Sequence, residues 1–237
     1  MLNQTCQPKA AMPRYSLRGV TLDLPETALR GGLARALESG RYENTEADAI
    51  QRHLRPGDRF LDLGAGLGYL CCLAAQVLGP EAVMGVEAGP QTAALARANL
   101  DRNGFAAAVV KPGAVMPAGQ GGRVAFGQRP AFWASALAGP AGVPANATVV
   151  EVEALPLDRL LAEHAPTVLS CDIEGAELAV LTGPFPPSLR LIVVEIHPAL
   201  YGPAGTKRLF DALSAAGFAF CPEGARGATV VFQRIED

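Results

Sequence analysis

Between residues 61 and 68 the chain reads Leu-Asp-Leu-Gly-Ala-Gly-Leu-Gly. The run falls where a short apolar strand gives way to an apolar helix. Glycine there permits a tight turn and lets a ligand approach the backbone with no Cβ in the way. Glu87 ends the next expected strand, 19 residues after Gly68. An acid at about that distance commonly accepts hydrogen bonds from ribose hydroxyls. Together these features predict a nucleoside-like ligand over the carboxyl ends of the first two strands.

Glycine spacing separates the candidate nucleosides. A dinucleotide site uses G-x-G-x-x-G to seat a pyrophosphate on a helix N-terminus. Here the spacing is G-x-G-x-G, preceded by Asp62. A carboxylate beside a pyrophosphate is unfavourable. Beside the ammonium of S-adenosylmethionine (SAM) it is favourable, and SAM carries no phosphate. SAM is therefore expected over NAD, with a turn-bonding Asp62 as the purely structural alternative.

A second constellation lies further on. Cys171-Asp172-Ile173-Glu174-Gly175-Ala176-Glu177 follows the fourth main strand, and Glu195-Ile196-His197-Pro198 follows the fifth. In a doubly wound sheet these ends open onto the same crevice as the glycine loop. Asp172, Glu174, Glu195 and His197 are thus candidates to meet one bound substrate. Such groups can deprotonate or hold a hydroxyl. Their oxygens can also hold a hard cation such as Mg²⁺, although the expected site contains no metal. The structural alternatives are helix capping by Asp172 or Glu174 and a backbone-bonded His197.

These residues need an alternating α/β frame. Tyr15 to Leu24 reads as a strand or small hairpin, and 26–38 as a helix weakened by Gly31 and Gly32. Thr45 suits the N-cap of a helix running to about Leu54, which Arg55-Pro56-Gly57-Asp58 ends. From Arg59 onward strand and helix alternate: RFLDLG, GYLCCLAAQVLG, AVMGVEA, PQTAALARANLDRNG, AAAVV. This succession predicts a mostly parallel sheet with helices on both faces. Residues 112–150 interrupt it, with a strand at 123–127 and another in ATVVEVEAL, and read as inserted hairpins or a lid. Alternation then resumes with the helix LPLDRLLAEH, the strand PTVLSCD, the helix AELAVLTG, the strand LRLIVVEIH and the helix GTKRLFDALSAAG. FAFCPE and GATVVFQR form a terminal antiparallel pair. Residues 1–57 are expected to form an N-terminal cap segment of the same domain, and 58–237 the ligand-binding domain.

Composition narrows the classes. The 237 residues are 49% hydrophobic with a mean hydropathy of +0.20, enough for a buried core. A net charge of −3 argues against nucleic acid, which needs clustered Lys and Arg. No apolar run nears the roughly 20 residues needed to cross a bilayer. Five cysteines with no metal-type spacing, and no apolar leader, read as reduced thiols in the cytoplasm. His53 and His164 read as structural, Cys71 and Cys72 as core, Asp158 as a helix-start residue, and Phe132 with Trp133 as buried aromatic packing. The N-terminal strand and terminal hairpin offer edges for a homodimer.

Four blocks resemble the Class I SAM-dependent methyltransferases, and more narrowly the FkbM family. They are Arg41-Tyr42-Glu43 with Glu46, LDLGAGLGY with Glu87, VEVEALPLDRLL at 150–161, and DIEGAE at 172–177 with VVEIHP at 193–198. The resemblance implies a Rossmann-like three-layer sandwich with a seven-stranded sheet and a reversed last strand. It implies methyl transfer from SAM to a hydroxyl of a small-molecule or sugar acceptor. By resemblance, Asp62, Gly64, Ala65, Gly66 and Gly68 surround the methionine part of SAM. Glu87 and Ala88 hold its ribose, and Gly113 and Ala114 lie near adenine. Glu43 and Glu46 close over the SAM tail, and Asp172 also borders the cofactor. Lys-Pro-Gly-Ala at 111–114 has no acidic or amide side chain for the adenine amino group, which shifts that recognition to the backbone. Asp172 or His197 is the expected base for an in-line displacement.

Three rival readings are weaker. An NAD-dependent oxidoreductase is opposed by the glycine spacing and Asp62. An idle SAM-binding protein is opposed by the acids kept at the fourth and fifth strand ends. Methylation of an amide or nucleobase nitrogen is disfavoured because no Asn-Pro-Pro-aromatic motif follows the fourth strand.

Overall fold

The computed structural model describes residues 12–30, 32–129, 135–137 and 146–235; Phe132, Trp133 and most of the polar N-terminal stretch lie outside the described residues. Near the N-terminus, β1 (Arg14–Leu17) and β2 (Val20–Asp23) pair as an antiparallel hairpin. The helix expected over 26–38 is split into a 3-10 turn at Glu26–Ala28 and α1 (Leu33–Glu38). Gly32 stands at the break with φ +93°. Helix α2 (Asn44–His53) starts one residue before Thr45. Thr45 is no cap, because its hydroxyl is engaged by Glu46 and Thr229.

The central sheet has seven strands: β3 (Phe60–Leu63), β4 (Val83–Glu87), β5 (Val109–Pro112), β10 (Val168–Cys171), β11 (Leu191–Glu195), β12 (Phe218–Arg226) and β13 (Thr229–Arg234). Their spatial order is β12-β13-β11-β10-β3-β4-β5. The five strands from β5 to β11 are parallel. The last strand, β13, runs antiparallel to β11 and β12. Successive strands step outward from β3 in one direction and then, from β10, in the other. Between β3 and β10 lies the topological switch point, where open α/β sheets bind ligands.

Burial on both faces explains the strand sequences. Every residue of β3 and β10 is buried, as are the first four of β11. Such strands read as apolar runs without polar alternation. One face carries α2, α3 (Tyr69–Leu78) and α4 (Pro90–Arg102) with the N-terminal hairpin; Ile50, Phe60, Leu73 and Leu100 share that core. The other face carries α5 (Leu157–His164), α6 (Glu177–Val180) and α7 (Pro198–Ala215); Leu61, Leu160, Ile192 and Leu209 share that one. The result is a three-layer sandwich. Helix α7 begins seven residues before the expected GTKRLFDALSAAG segment and is kinked at Gly202 and Pro203. Among the described residues no helix is long and apolar enough to cross a membrane.

The interrupting segment builds a second sheet from β6 (Ala114–Met116), β7 (Gly122–Gln128), β8 (Ala136–Leu137) and β9 (Thr148–Pro156), in the order β6-β9-β7-β8. Ala114, Phe126 and Val152 form its small core, against which Ala88 packs.

A polar cluster ties together the amino ends of the central strands β3, β10 and β11. Asp58 accepts hydrogen bonds from Arg190 Nε (3.0 Å), the Thr167 hydroxyl (2.7 Å) and the Arg55 N–H (2.7 Å). Arg190 also donates to the carbonyl of His53 at the end of α2. Burial alone would raise the Asp58 pKa, but these donors outweigh it and hold the carboxyl below its usual value. Its contribution is therefore present above the ordinary carboxylate range and is lost as pH falls through the lowered value. Arg190→Met should destabilise the fold by about 3 kcal/mol, because it strands a buried carboxylate. Urea unfolding at neutral pH, repeated near pH 3, should show that penalty shrinking in acid.

Candidate functional site

At the carboxyl ends of the parallel strands is a cavity of about 400 Å³. Its wall includes Glu43, Glu46, Gly64, Gly66, Glu87, Ala88, Gly113, Ala114, Asp172, Glu174, Glu195 and His197. Twelve of the residues singled out in the sequence thus surround one space. Asp62, Ala65 and Gly68 are not in that wall. Asp62 alternates to the same strand face as Phe60, beneath α3, where the Cys71 thiol donates to its Oδ2 at 3.3 Å. It is 2% exposed, and burial pushes its pKa up to about 7.

Two glycines shape the floor. Gly64 has φ +90°, and a Cβ there would lie 1.8 Å from the carbonyl oxygen of Asp172. Gly66 has φ +50°, and its Cβ would sit 3.1 Å from the Tyr42 hydroxyl and 3.3 Å from Glu43 Oε1. Glu87 fastens this loop: Oε2 accepts the Gly66 N–H at 3.0 Å and Oε1 the Gly89 N–H at 2.7 Å. Burial raises the Glu87 pKa to about 7 despite these bonds. Each carboxylate oxygen keeps a lone pair for a ligand hydroxyl. On the far side, Gly113 donates its N–H to the carbonyl of Glu87 at 2.9 Å, which places Gly113 and Ala114 on the wall next to Glu87.

The acid loop follows β10. Neither Asp172 nor Glu174 caps α6, whose N-cap is Ala176 with no side-chain bond. Glu177 organises the loop instead. Its side chain is fully buried, and Oε1 accepts the N–H groups of Ile173 (3.1 Å) and Gly175 (3.0 Å). His197 lies against it, with Nδ1 3.2 Å from Glu177 Oε1 and Nε2 3.6 Å from both Asp172 Oδ1 and Glu174 Oε2. The His197 backbone N–H donates to the Tyr201 hydroxyl at 2.6 Å, and the ring faces the acids rather than the backbone.

Burial and crowding set the charges. Burial, then the charge of Glu195, push Asp172 well above the carboxylate range. Burial raises Glu195 as well, and lifts Glu174 to about 7. Burial alone would lower His197, but Glu177, Asp172 and Glu174 override it and raise the ring to about 9. Burial likewise pushes Glu43 well up. Among the described residues, two of the four non-glycine residues with positive φ are Glu43 (+45°) and Glu174 (+53°), both on the cavity wall. Strained backbone of this kind concentrates at functional sites.

Several contributors had no sequence signal strong enough to single them out. Glu177 sits in the DIEGAE run, but its role shows only when the loop is closed. Tyr42 was visible only as a neighbour of Glu43. Phe126, Ser135 and Leu137 line the cavity from the inserted region, which was expected as hairpins or a lid, but nothing in their spacing singles out these three residues. His53 and His164 are structural, bonded to the carbonyls of Glu223 and Phe60.

A doubly wound sheet with a reversed last strand, a glycine loop at its switch point and an acid ending the neighbouring strand define a SAM-dependent methyltransferase domain. The family model described as the methyltransferase FkbM domain matches residues 62–220, and the chain belongs to that family. It is similar to ribosomal protein L11 methyltransferase of Thermus thermophilus, 46% identical over 71 residues, which is 29% of this chain and 27% of that protein. It is also similar to arsenite methyltransferase of Halobacterium salinarum, 45% identical over 51 residues, 21% of this chain and 13% of that protein. The chain thus spans about a quarter or less of the length of the curated relatives it matches. Among solved structures, an O-methyltransferase from Bacillus cereus in complex with SAH superposes with a TM-score of 0.49 at 15% identity, covering 89% of this chain and 90% of that one.

The residues present fit SAM. A glycine cradle opens at Gly64 and Gly66, a carboxylate stands ready for a diol, and the wall carries six carboxyl groups against the side chains of Arg41 and His197. That charge balance suits an ammonium and a sulfonium and opposes a pyrophosphate. Gly64→Ala should lower stability by more than about 3 kcal/mol, since a methyl group cannot coexist with the Asp172 carbonyl or relax at that φ. Urea unfolding of the variant beside the wild type checks this.

Proposed function

We propose that the chain transfers a methyl group from SAM to a hydroxyl oxygen of a small-molecule or sugar acceptor. The observation supporting it is the convergence of Asp172, Glu174, Glu195 and His197 on the same cavity as Gly64, Gly66 and Glu87. Bound SAM supplies an electrophilic methyl carbon on a positively charged sulfur.

Glu87 accepts the ribose hydroxyls, with Ala88 beside it. Gly113 and Ala114 border the adenine, whose recognition falls to backbone groups. The backbone at Gly64 and Gly66 receives the methionine end, and Glu43 and Glu46 face its ammonium. Asp62, buried beneath the loop, positions it without touching the ligand. Phe126 and Leu137 of the second sheet shield the cavity from water. The acid loop holds the acceptor oxygen in line with the methyl group at about 3–3.5 Å, and such positioning is the main source of acceleration in a displacement. A carboxylate of the cluster takes the hydroxyl proton, a step typically contributing about 10²–10⁴-fold.

Glu87→Ala should weaken SAM binding at least ~10-fold, equivalent to about 1.4 kcal/mol. Isothermal titration reads this directly, and unchanged affinity removes Glu87 from the ribose site. Asp172→Asn should reduce turnover by about 10² while leaving SAM affinity within about threefold. A labelled-methyl assay across hydroxylated acceptors measures the first quantity and titration the second. Near-normal turnover refutes a role for Asp172.

A further inference from the structure

Where β10 and β11 end, three buried polar atoms have no hydrogen-bond partner among the described residues: Asp172 Oδ1, Glu177 Oε2 and His197 Nδ1. Leaving such an atom unpaired is costly, and more so if it is charged. Three from different elements in one place indicate a group that they share. One donor atom from each of these residues lies within 4.8 Å of those of the other two.

The separations are informative. His197 Nε2 is 3.6 Å from Asp172 Oδ1 and from Glu174 Oε2. That is longer than the 2.7–3.2 Å or so of an N–H···O hydrogen bond. The contact of Nδ1 with Glu177 Oε1 is shorter, at 3.2 Å, yet Nδ1 makes no well-aligned hydrogen bond there. Donors bound to one cation at about 2.0–2.2 Å stand about 3–4 Å apart; the Nε2 separations from Asp172 and Glu174 fall in that range, while Glu177 faces the other ring nitrogen.

The set is also rigid. Glu177 is completely enclosed, and the Ile173 and Gly175 N–H groups pin its Oε1, so Oε2 cannot turn to solvent. Tyr201 fixes the backbone of His197. Four carboxyl groups, from Asp172, Glu174, Glu177 and Glu195, surround a single imidazole. Sequence reasoning expected no metal here.

We infer that Asp172, Glu177 and one ring nitrogen of His197 form a divalent-cation site, with Glu174 in reach as a further oxygen donor. A mixed imidazole and carboxylate set favours Mn²⁺ or Zn²⁺ over Mg²⁺. The site stands on its donor atoms alone, whereas its use rests on the methyl-transfer reading above. In that use the acceptor's hydroxyl oxygen binds the cation, its O–H bond breaks, and the proton passes to a neighbouring carboxylate such as Glu195.

The test is titration of the metal-stripped full chain with MnCl₂, reading free Mn²⁺ by electron paramagnetic resonance, with and without SAM. The expected result is one ion per chain, with affinity reduced at least ~10-fold in both His197→Ala and Glu177→Gln. SAM titration and circular dichroism of each variant establish that it is folded; if Glu177→Gln fails to fold, His197→Ala with Asp172→Asn decides. No saturable binding of Mn²⁺ or Zn²⁺, or equal binding in the variants, overturns the site. SAM binding without Mn²⁺ binding removes the cation alone. Mn²⁺ binding without SAM binding leaves the site standing and removes the methyl-transfer reading.

Discussion

The contact between Gly64 and the carbonyl of Asp172 governs the arrangement of the whole site. Strands β3 and β10 lie side by side, with Leu63 opposite Cys171, and the Asp172 N–H donates to the Leu63 carbonyl at 2.9 Å. One residue later the two chains must part, and only a residue without Cβ fits between them. The chain leaving β3 turns toward β4, where Glu87 catches it at Gly66. The chain leaving β10 turns toward β11, where His197 meets it. The glycine loop and the acid loop therefore begin from one shared point. Their relative position is set by backbone packing rather than by flexible side chains.

That arrangement gathers carboxyl groups where water is scarce. Buried acids resist ionisation and repel one another, which is why Asp172, Glu174, Glu195, Glu87 and Glu43 all have raised pKa values. The left-handed backbone of Glu43 and Glu174 adds further strain. Such a wall is unstable unless something outside it over-determines the geometry. The two apolar layers do so, together with the Asp58 and Arg190 cluster at the opposite end of the sheet.

Much of the frame was legible because its signals are local. A strand buried on both faces has to be apolar, and Phe60–Leu63, Val168–Cys171 and Leu191–Glu195 read as such. Pro90 at the start of α4 marked a boundary in the same way. The glycine loop, Glu87 and the four polar residues at the later strand ends were found by type and position. Asp62 illustrates a limit: its place beside the glycines is visible in the chain, but strand alternation turns its carboxylate beneath α3 instead of into the cavity. Thr45 illustrates another. A hydroxyl well suited to cap α2 is engaged by Thr229, 184 residues away, and no local rule anticipates that.

The side of the cavity fed by the second sheet was the least legible, for a related reason. Phe126, Ser135 and Leu137 reach the wall only because β7 pairs with β8 and β9 and the small core of Ala114, Phe126 and Val152 packs against Ala88. The strands at 123–127 and in ATVVEVEAL could be read from the sequence, but which residues they turn toward the cavity is set by contacts between distant segments. The glycine loop and the acid loop are written in short motifs at strand ends. The wall that the second sheet adds is written in the long-range packing of the insertion, where single residue types carry little information.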